Sequence, residues 1–168
     1  HNMWLEENEY IDKFMVATNE MKKDCIREYN VPESKLLVTG IPISKKFSKT
    51  WDKYQTLKDL GLTQEKTTLL FFSGGGLGIG NSEDVFEQLV NSNYDFQLVV
   101  ITGKNEKQKD IFDEIAQKSN KAITVLGYTD KAPEIMSACD FVITKPGGAQ
   151  TTECLYFKKP MLMLRSSG

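Results

Sequence analysis

The amino-acid sequence predicts a doubly wound α/β domain built on a parallel sheet. Two observations support this prediction: short, almost continuous apolar segments alternate with helical patterns, and two glycine-rich segments each directly follow an apolar segment. Strands that helices cover on both faces of a parallel sheet have this uninterrupted apolar character. The predicted strands are residues 68–72, 97–102, 123–126, 141–144 and 161–164, and the predicted helices are residues 82–93, 106–118, 132–138 and 149–157.

The first part of the chain predicts a shorter strand, helix and strand. Residues 14–18 and 36–39 are apolar segments typical of strands, and Asn19 is the predicted N-cap of the helix between them. Gly40 and Pro42 follow the second segment, and a proline cannot donate a hydrogen bond to a strand ladder. We therefore expect the second strand to end there.

A polar, lysine-rich region separates this part from the regular α/β pattern. Residues 44–68 have the composition of a connector, with one short helical pattern. We expect a domain boundary here. Residues 1–48 are predicted to hold the remnant of one domain and the start of the linker, and residues 49–168 most of a second domain.

Composition and charge exclude several classes of protein. The 168 residues are 40% hydrophobic and carry a formal net charge of -2, so we expect no nucleic acid as the main partner. Cys25, Cys139 and Cys154 form no C-x-x-C pair and are interpreted as reduced thiols of a cytosolic protein, without a zinc site. No apolar run approaches the roughly 20 residues that span a bilayer.

The first glycine-rich segment indicates a phosphate site of an unfamiliar kind. Gly74, Gly75, Gly76 and Gly78 follow a predicted strand and precede a predicted helix, whose first amides and dipole suit a phosphate. The spacing does not fit the dinucleotide fingerprint, and the Gly-Lys-Ser/Thr of a Walker loop is absent. The alternative is a glycine-rich turn that only connects a strand to a helix.

The second glycine-rich segment, residues 145–153, adds features of nucleotide binding. Gly147 and Gly148 stand before a predicted helix, so the two segments together suggest a diphosphate. Glu153 would repel phosphate, but a carboxylate accepts two hydrogen bonds from a vicinal diol such as a ribose. The alternative interpretation makes Glu153 a helix-dipole residue and Thr151 and Thr152 capping groups.

Short motifs in a fixed order resemble the diacylglycerol glycosyltransferases, that is, the monogalactosyldiacylglycerol synthases and the processive bacterial diacylglycerol glucosyltransferases. A more distant likeness is to the peptidoglycan N-acetylglucosaminyltransferase that builds the lipid-linked disaccharide. The resemblance implies the two-domain GT-B fold, with a Rossmann-like sheet in each domain. The motifs are His1-x-x-Trp4, Val38-Thr39-Gly40-Ile41-Pro42-Ile43, Gly74-Gly75-Gly76-x-Gly78-x-Gly80, Thr102-Gly103-Lys104-Asn105, Gly127-Tyr128-Thr129, Ala138 to Gly148, and Thr152-Glu153.

The resemblance also implies a set of residues that bind the nucleotide sugar. Both glycine-rich segments would face the diphosphate of the donor, and Glu153 would hold the ribose hydroxyls. The turn at Gly127, Tyr128 and Thr129 would hold uracil through main-chain groups. Without the resemblance, that turn is interpreted as an ordinary strand-to-helix turn with a half-buried Tyr128. The implied binding residues are Gly74, Gly75, Gly76, Gly78, Gly127, Tyr128, Thr129, Lys145, Gly147, Gly148, Gln150, Thr151, Thr152 and Glu153.

One position departs from the family and one residue is assigned to catalysis. Gln150 stands where the family usually has a threonine or serine, which puts one hydroxyl contact to phosphate in doubt. His1 is the single histidine, and its spacing from Trp4 resembles the general base of the galactosyl enzymes. The alternative is that His1 belongs to a disordered end or is a remnant of expression.

The resemblance implies inverting transfer of a hexose from UDP-glucose or UDP-galactose to diacylglycerol, without a required metal or cofactor. The enzyme would be cytoplasmic and peripheral to the inner face of the cell membrane, and a preceding N-terminal domain would contact the lipid. The chain is expected to be an excised fragment, shortened at both ends and inactive alone. The alternatives are a UDP-N-acetylglucosamine transferase of peptidoglycan synthesis, a nucleotide-sugar epimerase and a non-catalytic nucleotide-binding domain.

Overall fold

The computed structural model describes residues 3–6, 8–73 and 82–164. The chain divides into two compact units, His1–Ile43 and Ser44–Gly168. Among the residues that the structure describes, no helix is long and apolar enough to cross a membrane.

The first unit is a small parallel α/β arrangement. Its elements are α1 (Met3–Glu6), β1 (Phe14–Val16), α2 (Asn19–Tyr29) and β2 (Leu36–Val38). Strands β1 and β2 pair in parallel, and α2 covers them with the buried Cys25. The predicted N-cap Asn19 is wrong by one residue: Asn19 is the first helical residue, and the Thr18 hydroxyl accepts the hydrogen bond from the Met21 amide at 3.1 Å.

The second unit is a five-stranded parallel sheet with helices on both faces. The order of its strands across the sheet is β5-β4-β3-β6-β7, so the predicted doubly wound α/β fold is confirmed. Its elements are α3 (Lys53–Asp59), β3 (Thr68–Phe72), α4 (Ser82–Asn91), β4 (Gln97–Ile101), α5 (Glu106–Gln117), β5 (Ile123–Leu126), α6 (Ala132–Ala138), β6 (Phe141–Thr144), α7 (Gly148–Tyr156) and β7 (Met161–Met163).

The sheet separates two apolar layers. On one face, Phe86 of α4 and Phe112 of α5 are fully buried and stack with ring centroids 4.2 Å apart, in a cluster with Phe71 of β3. Successive strand residues point to opposite faces, so the equally buried Leu70 lies on the other side of the sheet. Helix α6 contacts β3 and contributes Met136 to the buried core.

The polar region that the sequence presents as a connector is packed structure in this unit. Helix α3 contacts α6, and its Leu57 is fully buried. Asp140, just before β6, accepts hydrogen bonds from the Lys53 ammonium at 2.5 Å and from the Thr68 amide at 2.9 Å. One carboxylate therefore joins the start of α3 to the start of β3.

Candidate functional site

The two glycine-rich segments follow neighbouring strands. Strands β3 and β6 are adjacent and parallel, with Phe71 opposite Ile143. The chain runs from β3 to β4 and β5 on one side and returns to β6 on the other side, so the strand order reverses between β3 and β6. Such a switch point leaves a crevice at the carboxyl ends of the strands, where open α/β sheets bind ligands.

The start of α7 presents amides that have no acceptor among the described residues. The first hydrogen bond of this helix runs from the Thr151 amide to the Gly147 carbonyl at 2.9 Å. Within the described parts of the chain, the amides of Gly148, Ala149 and Gln150 meet no acceptor, and no side chain caps the helix. The first turn also contains no acidic residue. These features together make the start of α7 suited to bind an anion.

The start of α4 differs electrostatically from that of α7. Glu83 and Asp84 are exposed in the first turn of α4, where their carboxylates interact favourably with the helix dipole. The expectation that both helix starts attract phosphate through their dipoles therefore fits α7 better than α4.

Neither the backbone conformation of Gly147 nor crowding by the described residues requires glycine at this position. Its φ of -155° is extended backbone that any residue adopts, and a Cβ built on it meets no described atom within 4 Å. Gly40 and Gly61 contrast with it, because their φ values of +74° and +72° lie in the left-handed region. Among the described residues there is thus open space at the Cβ position of Gly147, the residue directly before α7.

The Gln150 side chain is half-buried and is hydrogen-bonded within the fold through one of its two polar atoms. Its Oε1 accepts a hydrogen bond from the hydroxyl of Thr144, which is fully buried at the end of β6. This contact fixes the first turn of α7 to the strand that precedes it. The Gln150 backbone amide and the side-chain Nε2 have no acceptor among the described residues.

Glu153 is a half-buried carboxylate without a partner among the described residues. It follows Ala149 by four residues and Gln150 by three, so it shares their face of the helix. No described residue donates a hydrogen bond or forms an ion pair with it, and burial raises its pKa above the ordinary 4.5. The sixth residue of α7 also lies beyond the first turn, which does not fit the alternative interpretation of Glu153 as a dipole residue.

The two threonines of α7 do not cap the helix. The Thr152 hydroxyl donates to the Gly148 carbonyl at 2.9 Å, which is a bond within the helix. Thr151 is half-buried, and its amide closes the first helical turn. The alternative interpretation of these residues as capping groups is wrong. Lys145, also half-buried, lies between β6 and α7 without an acidic partner among the described residues.

The Gly127 turn lies farther along the same edge of the sheet. It follows β5, which is three strand spacings or about 14 Å from β6. Tyr128 is 72% exposed, so the half-buried side chain expected of an ordinary turn is wrong, and the Lys104 ammonium lies 5.7 Å from its ring centroid. The Thr129 hydroxyl accepts a hydrogen bond from the Lys131 amide at 3.1 Å.

Several predicted site residues lie outside the described residues. They are His1, Gly74, Gly75, Gly76 and Gly78, and their roles stay predictions. Trp4 of the His1 motif lies in α1 and is 69% exposed. In the described parts of the chain, no group of three or more His, Cys, Asp or Glu side chains is placed to hold a metal ion.

The sequence interpretation missed a buried polar contact at the β3 side of the crevice. The Gln108 side chain bridges the hydroxyl of Ser73, directly before Gly74, and the hydroxyl of Ser82, two residues after Gly80. The sequence feature that could have predicted this contact is the helical spacing of Asn105, Gln108 and Phe112, which places a glutamine on the inward face of α5.

Comparison with known proteins gives a curated relative and two similar structures. The processive diacylglycerol beta-glucosyltransferase of Bacillus licheniformis is 32% identical over 165 residues, or 98% of this chain and 42% of that protein. The chain thus spans less than half the length of this relative. The resemblance noted in the motifs is confirmed.

The two structures are more distant in sequence. Anabaena HepE, solved in complex with UDP-glucose, has a TM-score of 0.60 at 15% identity, covering 96% of this chain and 47% of that one. The UDP-GlcNAc 2-epimerase of Neisseria meningitidis, solved with UDP-GlcNAc, has a TM-score of 0.62 at 20% identity. The likeness covers 92% of this chain and 44% of the epimerase chain. At these identities the likeness shows the fold alone, which is the GT-B type that the motifs imply.

A match to a protein-family model assigns the chain to a family. It describes the glycosyltransferase family 28 C-terminal domain and matches residues 79–165, more than half of the 168 residues. The matched range contains α4 to β7, and therefore β6 and the start of α7 on one side of the switch point. The chain belongs to the glycosyltransferase family 28 C-terminal domain family.

Proposed function

We propose that this chain binds the nucleoside diphosphate of a UDP-hexose and forms the donor side of a glycosyltransferase that glycosylates diacylglycerol. The acceptor comes from the name of the Bacillus licheniformis relative, of which the chain spans 42%. In this proposal the intact enzyme acts at the cytoplasmic surface of a membrane, and a preceding domain supplies the contacts to the lipid.

The start of α7 is the observation that carries the proposal. The amides of Gly148, Ala149 and Gln150 have no acceptor among the described residues, they lie at the switch point, and a Cβ on the preceding Gly147 would meet no described atom within 4 Å. Glu153, on the same face of the helix, has both carboxylate oxygens free of described partners. Amides suit a diphosphate, and a free carboxylate suits the two hydroxyls of a ribose.

The proposed chemistry is a direct displacement. A hydroxyl of the acceptor attacks the anomeric carbon, the bond from that carbon to the diphosphate oxygen breaks, and UDP leaves with the bonding electrons. Negative charge then grows on the diphosphate, which preorganised amides and the dipole of α7 stabilise without reorganising. No metal is required in this proposal, and His1 takes the proton of the attacking hydroxyl.

Titration of the chain with UDP, UMP and uridine, followed by calorimetry, tests the proposal. We expect UDP to bind more tightly than UMP, because the second phosphate gains the amides of α7. Equal affinities for UDP and UMP would contradict a diphosphate site.

Two glycine variants test whether UDP binds at the start of α7. Gly147→Ala fills the open space before α7, and we expect it to weaken UDP binding at least tenfold while changing the free energy of unfolding by less than about 1 kcal/mol. Gly61→Ala is the matched control, because its φ of +72° makes alanine strained at a position outside the site. It should lower stability and leave UDP affinity unchanged.

A nucleotide-sugar epimerase of similar fold is the second candidate. The Neisseria meningitidis structure shares the fold with a TM-score of 0.62, so fold does not separate the two activities. An activity assay of the intact protein distinguishes the two candidates. Formation of glycolipid from UDP-hexose and diacylglycerol supports the transferase. Formation of a UDP-sugar that is epimerised at one sugar carbon, without glycolipid, supports the epimerase.

A further inference from the structure

A buried hydroxyl attaches the first turn of α7 to the end of β6. Thr144 is the last residue of β6 and is 0% exposed, and its hydroxyl donates to Gln150 Oε1. The same hydroxyl lies 3.3 Å from the Lys145 carbonyl oxygen. Gln150 is the third residue of α7. A buried polar group is stable only when it is paired, so this contact has a strongly preferred geometry.

The contact replaces the usual role of a glutamine at this helical position. A glutamine at the third position of a helix can accept a hydrogen bond from the backbone amide of the N-cap residue. In α7 the Gln150 oxygen is paired with Thr144 instead, and no side chain caps the helix. Among the described residues, no other hydrogen bond joins residues 148–151 to the sheet. The position of the first turn relative to β6 therefore depends on this one side chain.

The contact also orients the side-chain amide of Gln150. Its oxygen and its nitrogen point in different directions, so pairing Oε1 with Thr144 turns Nε2 away from the buried strand end. Nε2 has no acceptor among the described residues, and it is not one of their buried polar atoms that lack a partner, so solvent reaches it. An N–H donor at this place adds to the three backbone amides of the same turn.

We propose that Thr144 is a positioning residue for diphosphate binding, an inference that rests on the proposed function. Through the Gln150 side chain, Thr144 holds the first turn of α7 at the end of β6 and leaves Nε2 as a donor beside the backbone amides. Donors that are held in place before the ligand arrives stabilise negative charge without reorganising. Thr144 itself is buried and touches no ligand, so its effect on binding passes through Gln150.

A purely structural role for Thr144 is the competing explanation, and Thr68 is a matched control for it. Thr68 is also 0% exposed, and its hydroxyl accepts a hydrogen bond from Gln97 Nε2 at 2.8 Å. Thr68 begins β3 and so lies at the amino edge of the sheet, opposite the start of α7. Valine has the shape of threonine but no hydroxyl, so each Thr→Val substitution leaves the side-chain amide of one glutamine without its threonine partner.

The experiment is a double-mutant cycle in the full 168-residue chain, with UDP and uridine affinities measured by calorimetry. We expect Thr144→Val to weaken UDP binding about tenfold, because a positioned donor is lost, and to leave uridine affinity unchanged. Thr144→Ser keeps the hydroxyl and should bind UDP as the parent does. Thr68→Val should unfold at lower temperature than the parent and bind UDP with unchanged affinity.

The cycle shows whether Thr144 acts through Gln150. Gln150→Met removes both polar atoms of the side chain and should also weaken UDP binding. We expect Thr144→Val to cause no further loss of UDP affinity in the Gln150→Met background, because the group that it positions is absent there.

The outcomes separate this inference from the proposed function. If the parent binds UDP and Thr144→Val binds it equally well, loses uridine affinity to the same degree, or adds its full loss to that of Gln150→Met, the inference is wrong while the proposed function stands. If the parent binds no UDP, the proposed function fails and the positioning role in diphosphate binding fails with it. Hydrogen exchange of the Thr151 amide, which is bonded to the Gly147 carbonyl, then tests the attachment of α7 alone. Faster exchange in Thr144→Val than in Thr68→Val supports the attachment, and equal exchange contradicts it.

Discussion

Replacing Glu153 with glutamine separates the two parts of the proposed nucleotide site. Glutamine has the same shape as glutamate but carries no charge, so Glu153→Gln removes the free carboxylate at the face of α7 with little change in packing. Glu114→Gln is the control, because Glu114 is exposed on α5.

The expected loss of UDP affinity follows from the number of hydrogen bonds. Both oxygens of Glu153 are free of described partners, so each can accept one ribose hydroxyl. A hydrogen bond to a charged group contributes about 1 kcal/mol more than a neutral one, which makes about 2 kcal/mol for two bonds. That difference corresponds to an affinity about 30-fold lower.

Calorimetry with UDP and with inorganic pyrophosphate measures this effect. We expect Glu153→Gln to weaken UDP binding and leave pyrophosphate binding unchanged, since pyrophosphate has no ribose. Unchanged UDP affinity, or an equal loss for both ligands, would refute the assignment of Glu153 to the ribose.

The same variant should change how stability depends on pH. Burial raises the pKa of Glu153 in the folded chain above its ordinary 4.5, so folding favours the protonated form. Its contribution to stability is therefore complete below pH 4.5 and is lost as the pH rises through the folded pKa. In urea unfolding, the stability of Glu153→Gln relative to the parent should therefore rise between pH 4 and pH 7. A stability difference that stays constant over this pH range would contradict the assigned effect of burial.

Three further predictions concern the fold around the site. Phe86→Ala should lower the free energy of unfolding in urea by about 3–5 kcal/mol, because Phe86 is fully buried and stacks on Phe112; a loss below 1 kcal/mol would contradict this packing. Burial raises the pKa of the Cys139 thiol to about 12 and that of the Cys154 thiol to about 11. A thiol reagent at pH 8 should therefore label both cysteines only after the chain unfolds. Rapid labelling of the native chain would contradict their burial. Gly61→Ala should cost about 1–2 kcal/mol of stability in the same urea assay, and an unchanged midpoint would contradict the left-handed backbone there.

The apolar pattern predicted the positions of the strands and helices more accurately than it predicted the residues at which the helices end. The strands predicted at 68–72, 123–126 and 141–144 have those bounds in the structure, because strands of a helix-covered parallel sheet are mostly apolar along their length, even the half-buried edge strand β5. The ends of α4 and α5 lie one or two residues earlier than predicted. Helix ends depend on capping hydrogen bonds, which adjacent polar residues compete to make.

The sequence by itself determined the fold class, the placement of glycine-rich segments after strands and the family resemblance, since all three depend on residue order and local periodicity. Tertiary structure alone decided that β3 and β6 are neighbours, that Gly147 faces open space whereas Gly61 needs a left-handed backbone, and that Gln108 bridges two hydroxyls. These facts depend on the packing of segments that are distant in the chain. The same residue types in the same local pattern are compatible with more than one such packing, so no local rule could distinguish them.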